Sequence, residues 1–409
     1  MRTAVSLLPL LLAATACGGS ASEPDPQASD QQQAQAQGGD QTPDGETRTP
    51  VADLPPGTPP FETEEVGTLD EPWAMTFLPD GRMLVTQKAG TLVVVTREGE
   101  VSAPIEGTPE VDYGGQGGLG DVILSPDFEE SGTIYLTYAE AGEGDTRGAA
   151  MGRGRLDLDT MTLTGFEKIW EQSPKVTGRG HYSHRMAFSP DGQYLFVTSG
   201  ERQKFDPAQD LSANLGAVLR LNPDGTAAEG NPWADEGSPA DQRWTMGNRN
   251  LLGLAYDQDG TLWEVEMGPK GGDEFQRVEE GENYGYPTVS NGDHYDGRDI
   301  PDHDTQPQFR APDEFWNPVI SPSSLVIYSG EAFPDWEGDA LITGLSSQAL
   351  IRVTFECELN GREICEAERF DMGTRLREVE QDPEDGTLWI LEDGPEGDGG
   401  RLLHLVPRG

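Results

Sequence analysis

Residues 252–266 read LGLAYDQDGTLWEVE: an apolar run, an Asp-Gly turn at Asp259-Gly260, and a second apolar run. Asp-Gly between two apolar stretches is a strong hairpin signal, because the turn needs residues that tolerate positive φ. The same unit recurs along the chain. It appears as WAMTFLPDGRMLVT (73–86), DVILSPDFEESGTIYLTY (121–138) and RMAFSPDGQYLFVTSG (185–200). It appears again as LVIYSGEAFPDWEGDALITG (325–344) and REVEQDPEDGTLWILED (377–393). Short β-rich runs such as TLVVVT and ALIRVTF follow the hairpins. Six hairpins roughly 45 to 75 residues apart predict six blades of an all-β propeller, with loop insertions stretching the period. Long amphipathic helical runs with matching caps are missing, which argues against a βα fold.

Around that unit the chain divides into three parts. Residues 1–17, MRTAVSLLPLLLAATAC, combine Arg2 with an apolar run from Val5 to Ala14 and small residues before Cys17, the pattern of an export signal. The apolar run is too short to span a bilayer. Cys17 after Ala-Thr-Ala resembles a bacterial lipobox, and lipid attachment there is favoured over a plain signal peptide cut nearby. The expectation is an exported, periplasmic or cell-surface protein that meets the membrane only through an N-terminal lipid anchor. Residues 18–61 are rich in Gln, Ala, Gly, Pro and Asp and cannot bury enough apolar surface to offset ordering entropy, so they read as a disordered tether. Residues 62–409 form the propeller domain.

Asp and Glu number 73 against 28 Lys and Arg, a formal net charge of −45. Such a field repels nucleic acid and anionic membrane surfaces, which excludes both as partners.

The chemistry-bearing residues lie beside the hairpins. Arg249 sits between Asn248 and Asn250 in a Gly-bounded turn before residues 252–266, and a guanidinium is suited to planar contacts with oxyanions or quinone-like oxygens. After the hairpin, Gly268-Pro269 exposes carbonyls near the Asp273 and Glu274 carboxylates, the hard oxygens that Ca²⁺ prefers. His181 and His184, two of only five His, precede the third hairpin. A His of near-neutral pKa at the start of a blade suits proton removal from a hydroxyl. The alternatives are a metal pair and ordinary hydrogen bonding.

Several motifs in one order resemble the glucose/sorbosone dehydrogenase family of soluble, pyrroloquinoline quinone (PQQ)-dependent sugar dehydrogenases. They are GGQGGLGDVILSPDF (114–128), GRGHYSHRMAFSPDG (178–192), GNRNLLGL (247–254), LWEVEMGPKGGDE (262–274), NYGYP (283–287) and TRLREVEQDPEDG (374–386). The resemblance implies a six-bladed propeller that holds PQQ and Ca²⁺ and oxidises an aldose at C1 to the lactone. His181 would then be the general base and Arg249 would stabilise charge developing on the quinone. Gln116, Arg249, Asn250, Arg375 and Arg377 would contact the cofactor. The Gly268 and Pro269 carbonyls would hold one Ca²⁺, and Glu274 with the Tyr284 carbonyl a second, structural one. Electrons would leave to a quinone or a soluble carrier.

The chain departs from the family pattern at four places. Gly180 stands for an Asp, His184 for a Gly, Glu201 for an Asp, and Ser346 for a Lys that anchors the cofactor. Two rival functions fit a six-bladed propeller: a calcium-dependent lactone hydrolase and a non-catalytic ligand-binding surface protein. The Arg249, Arg375 and Arg377 set points away from the first. The acidic, turn-rich stretch 291–317 reads as a substrate-side or calcium-holding loop. Cys357 and Cys365 flank a Gly361-centred turn that would set them directly opposite, so an exported protein should bridge them.

Overall fold

A computed structural model describes residues 59–357, 362–394 and 399–408. The expected export signal, Cys17 and nearly all of the expected tether lie outside the described residues.

Six antiparallel sheets follow one another along the chain, and a two-stranded ribbon stands beside the fourth. Each sheet opens on a strand at one of the six predicted hairpins: Pro72–Phe77, Leu119–Leu124, Ser183–Phe188, Leu251–Tyr256, Pro322–Ile327 and Leu376–Gln381. The second strands are Met83–Gln87, Thr133–Ala141, Leu195–Ser199, Leu262–Glu266, Ala340–Gly344 and Leu388–Glu392. The architecture is a six-bladed β-propeller, with the opening strands lining the axis. Those strands touch their counterparts in neighbouring blades and are largely buried, so Pro72–Phe77 and Leu251–Tyr256 read as apolar runs, while Ser183–Phe188 and Leu376–Gln381 carry the buried charges Arg185 and Glu378.

The ring closes by strand pairing. Phe61–Leu69 runs antiparallel to Gly400–Pro407, from Phe61 opposite Pro407 to Leu69 opposite Gly400, and so supplies the outer edge of the sixth blade. The ordered strand therefore begins one residue before the expected boundary. The Phe61 ring sits edge-on against Trp336 and Phe370, 6.1 and 5.3 Å away between centroids, which seats this edge strand on the fifth blade.

All six blades share a device that no local pattern announces. Between the first and second strands the register slips near one end in every blade: at Pro72/Ala74, Leu119/Val122, Val197/Ser199, Leu251/Gly253, Pro322/Ser324 and Leu376/Glu378. Such bulges bend the strand and re-aim side chains. Above each bulge one main-chain hydrogen bond repeats, from Lys88, Ala139, Gly200, Met267, Leu345 and Asp393 N–H to the carbonyls of Glu71, Gly118, Tyr182, Asn250, Ser321 and Arg375, at 2.8 to 3.2 Å. These twelve residues form a rim at one end of the axis. His181 and Arg249 occupy the same place in successive blades, one residue before the acceptors Tyr182 and Asn250.

On the outer side of the fifth blade Cys357 and Cys365 are joined, with Cα atoms 5.7 Å apart. They are not opposed in the ladder as expected. Cys365 faces Thr354, while Cys357 lies beyond the strand end and donates its N–H to Glu363.

Candidate active site

His181 is buried in a left-handed backbone conformation, φ 49°, with its N–H on the Gln116 side-chain oxygen at 2.6 Å. Its Nδ1 lies 2.5 Å from Glu201 Oε1. Glu201 is fully buried, and its carboxylate also accepts the N–H groups of Gln203 (2.9 Å), Lys204 (2.5 Å) and Phe205 (2.7 Å). Burial alone would raise its pKa. The His181 hydrogen bond and the charges of His181 and Arg249 overcome that and hold Glu201 below the ordinary carboxylate value. An ionised Glu201 accepts a hydrogen bond from Nδ1–H, so Nε2 is the basic nitrogen of His181. Sequence reading noted Glu201 only as a replacement for Asp. The signal was there: a carboxylate retained one strand beyond the His.

Gly180, where an Asp was expected, has its side-chain space filled. A Cβ there would lie 2.5 Å from the Gln203 amide. Gln203 thus stands over the position the Asp would take.

His184 goes elsewhere. It is buried in the channel wall, stacked on Trp73 at 5.0 Å, with Nδ1 2.9 Å from Thr137 Oγ1. Burial, helped by the neighbouring Arg185, pushes its pKa down to about 3, so it is a neutral core residue. Gly120 is obligatory opposite it, since a Cβ would fall 1.9 Å from the imidazole. His181 and His184 do not form a metal pair.

Arg249 N–H donates to Glu266 Oε2 (2.6 Å), and its Nη1 donates to the Met267 and Gly268 carbonyls at 2.8 and 2.5 Å. Its guanidinium lies 5.6 Å from the Tyr286 ring centre, and its buried Nε has no hydrogen-bond partner. The Gly268 carbonyl, an expected calcium ligand, is therefore already engaged on one side by Arg249. Asn250 spends its side chain between blades, accepting from Ser183 Oγ at 3.2 Å and resting Nδ2 on Met267 Sδ at 3.6 Å. Arg375 and Arg377 share Asp393, their Nε atoms 2.8 and 2.9 Å from its two oxygens. Burial opposes ionisation of Asp393, but the two guanidinium groups win and draw its pKa down to about 2. Sequence reading missed Asp393, although it closes the last hairpin repeat. Ser346 is half-buried and offers only a long contact to the Val319 carbonyl, 3.5 Å.

Behind the Gly268-Pro269 turn lies a second cluster. In the fourth blade Glu264 faces Gln276 across the ladder and Glu266 faces Glu274, all four buried. Burial raises the pKa of all three glutamates. Mutual repulsion adds to it for Glu264 and Glu274, while Glu266, held by Arg249, reaches about 7. His303 comes from the 291–317 loop. Its Nε2 is 3.0 Å from the Tyr284 carbonyl and its Nδ1 is 3.8 Å from Glu274 Oε1. Burial depresses its pKa, so it is neutral, with the Nε2 proton on Tyr284 and a lone pair turned toward a carboxylate. His303 Nδ1, Glu264 Oε2 and Gln276 Oε1 are buried without hydrogen-bond partners. Glu266, Gly268, Pro269, Glu274 and Tyr284 line one small cavity here. Uncompensated acceptors in one cluster suit a cation, although among the described residues no three His, Cys, Asp or Glu side chains are grouped to hold one without main-chain oxygens. Glu274 and the Tyr284 carbonyl, the expected ligands, are thus brought together, and His303 is the neighbour that sequence reading did not find.

The glucose/sorbosone dehydrogenase family profile matches residues 69–404. Aldose sugar dehydrogenase YliI of Escherichia coli (strain K12) is 36% identical over 351 residues, 83% of this chain and 91% of the relative. The crystal structure of the soluble aldose sugar dehydrogenase from Escherichia coli in the apo-form superposes with a TM-score of 0.77 at 35% identity, covering 85% of this chain and all of that one. The PQQ-bound form of an aldose sugar dehydrogenase from Streptomyces coelicolor gives 0.66 at 25% identity, over 85% and 98% of the two chains.

Proposed function

The chain belongs to the glucose/sorbosone dehydrogenase family, and from that membership we propose that it oxidises an aldose at C1 to the lactone, using PQQ and Ca²⁺. The observation that carries the reading is the His181–Glu201 pair, 2.5 Å apart at the rim that also holds Arg249, Arg375 and Arg377. Three arginines at one mouth of a protein of charge −45 suit an anionic cofactor. When bound, PQQ supplies the two-electron acceptor for the hydride leaving C1.

The chain's own residues do the rest. Glu201 fixes the tautomer and stabilises the imidazolium that forms when His181 Nε2 takes the C1 hydroxyl proton. Gln116 fixes the backbone of the base through its 2.6 Å bond to His181 N–H. Arg249, buried and braced by two carbonyls, is a preorganised positive charge for oxyanion character at the reacting centre. Arg375 and Arg377, aligned by Asp393, would receive cofactor carboxylates. Gly268 and Pro269 would hold the cofactor's Ca²⁺, Gly268 through the side of its carbonyl that Arg249 leaves open. Glu274 and the Tyr284 carbonyl would hold the second ion. No observation favours the lactone-hydrolase or binding-only reading.

The test is reconstitution. Purified protein with PQQ, Ca²⁺, a dye acceptor and a panel of aldoses should reduce the dye and yield lactone. Ca²⁺ alone should raise the melting temperature, a stabilisation of about 1.4 kcal/mol at ten times Kd. Failure to take up PQQ at any Ca²⁺ concentration would overturn the reading.

A further inference from the structure

Two arginines on one carboxylate leave positive charge to spare, and the rim holds a further cation that no motif marks. Lys88 follows the second strand of the first blade. Its N–H bonds to the Glu71 carbonyl as that of Asp393 bonds to the Arg375 carbonyl, so Lys88 and Asp393 are equivalent positions on the blades that meet where the ring closes. The innermost strands of these two blades pack together. Lys88 Nζ donates to the Gly115 carbonyl at 3.1 Å and lies 3.7 Å from Glu71 Oε1 and 5.9 Å from the Tyr113 ring centre. Gly115 precedes Gln116, whose side chain holds the backbone of His181. The ammonium therefore stands between the Arg375–Arg377–Asp393 group and the base.

The other lysines are used differently. Of five in the chain, Lys168 and Lys175 are spent on Glu140 and Glu171, Lys204 reaches Thr177 at 3.4 Å, and Lys270 is exposed. Lys88 stands near Arg377 as well as Glu71 and Asp393. Its side chain is 19% exposed, and its ammonium lies nearest a neutral carbonyl, with the Glu71 carboxylate 3.7 Å away. Burial, and then the charge of Arg377, lowers its pKa despite the Glu71 and Asp393 carboxylates, the condition of a cation that gains from an added anion. The fifth blade offers no such group, since its equivalent positions are Ser321 and Leu345, with Ser346 next in the chain.

We infer that Lys88 is a third cofactor-anchoring cation, which completes with Arg375 and Arg377 a cradle for the carboxylates of PQQ. This rests on the function proposed above and names a residue in it. Lys88 anchors the ligand and takes no part in the proton transfer. Because it acts as a point charge on a flexible stem, an Arg serves in its place, whereas a Met of similar length does not.

The experiment titrates PQQ into wild-type protein, Lys88→Met and Lys88→Arg at fixed Ca²⁺, following quinone absorbance without any sugar present. Lys88→Met should weaken binding roughly tenfold, the order expected for losing one charge-assisted contact at a partly exposed site. It should also flatten the dependence of affinity on salt, and Lys88→Arg should restore both. A PQQ triester, which lacks the carboxylate charges, should bind wild type and Lys88→Met alike. Circular dichroism and melting of both variants report folding separately. Equal PQQ affinity of wild type and Lys88→Met overturns the inference while leaving the proposed function intact. A tenfold loss that Lys88→Arg does not restore, or that the triester shares, makes Lys88 structural and also overturns it. A wild type that binds no PQQ removes the function and this role together.

Discussion

Within the five residues His181–Arg185 the chain passes from the rim into the channel wall, and the two places treat charge in opposite ways. At the rim, Arg375 and Arg377 surround the single carboxylate Asp393, and its pKa falls to about 2. In the channel one cation, Arg185, faces Asp121, Glu378 and Glu380 around a polar cavity. Arg185 spends two of its donors on the Leu252 and Ser323 carbonyls, and its Nη2 is 2.5 Å from Glu378 Oε2, but out of line for a hydrogen bond. Burial pushes Glu378 up to about 7 against the pull of Arg185, and Glu380 well above the usual range. The difference teaches that a surplus of cations at the rim makes a place for an anionic ligand, whereas a surplus of buried carboxylates is met by protons or metal ions. The histidines divide the same way. His181 faces a carboxylate that can stabilise its charged form, while His184 faces Trp73 and cannot be charged.

The largest effect that could break this contrast is catalytic. His181→Ala should lower sugar oxidation by roughly two to four orders of magnitude, the usual worth of general acid–base catalysis, while PQQ and Ca²⁺ still bind. His184→Gly should leave turnover near wild type, because its imidazole touches only core groups, and glycine accepts its φ of 64° without strain. Dye-reduction rates and quinone absorbance on the two variants check both statements. A larger loss in His184→Gly would mean the two roles are reversed.

The channel carboxylates sharpen the comparison through pH. The pKa of Glu378 is higher in the fold than its ordinary 4.5, so the folded state keeps a proton that the unfolded chain releases first. Its contribution to stability is therefore fully present below about pH 4.5 and is lost as pH rises toward 7, by on the order of 3 kcal/mol. Glu378→Gln should remove that component. Urea denaturation at several pH values across this window should show a shallower decline in the variant. Glu264, Glu266 and Glu274 slope in the same direction in both proteins and cancel in the difference. Parallel curves would show that Glu378 is ionised beside Arg185 throughout. Asp393 slopes the other way, its contribution being lost only as pH falls from about 4 toward 2.

A smaller effect belongs to the link between rim and base. Glu201→Gln keeps the shape but removes the charge that holds Nδ1–H of His181. Turnover should fall by about ten- to a hundredfold, the usual cost of losing a carboxylate that orients a histidine. The acid limb of the pH–rate profile should move to lower pH, because the imidazolium loses its counter-ion. An unchanged acid limb would confine Glu201 to pinning the loop at Gln203, Lys204 and Phe205.

By itself the sequence determined the blade count, because a turn between two apolar runs repeats six times, four times with an Asp-Gly pair that has few conformations open to it. It also singled out candidate residues for the chemistry, His181, Arg249, Gly268-Pro269, Arg375 and Arg377, which stand in or beside the hairpins. Only the tertiary structure decided where those side chains meet. One reason is the bulge. A slip of one residue in each opening strand, driven by packing around a closed ring, re-aims the neighbouring side chains, and no local pattern in His181–Arg185 tells which histidine stays at the rim. The other reason is that partners lie on different strands and loops, some far apart in the chain. Glu201 lies a strand beyond His181, Asp393 beyond Arg377, His303 in a loop beside Glu274, and Lys88 at the far end of the chain from Arg375. The first three pairs form within a blade, and the last is set by ring closure, when Phe61–Leu69 docks on Gly400–Pro407 and brings the first blade against the last.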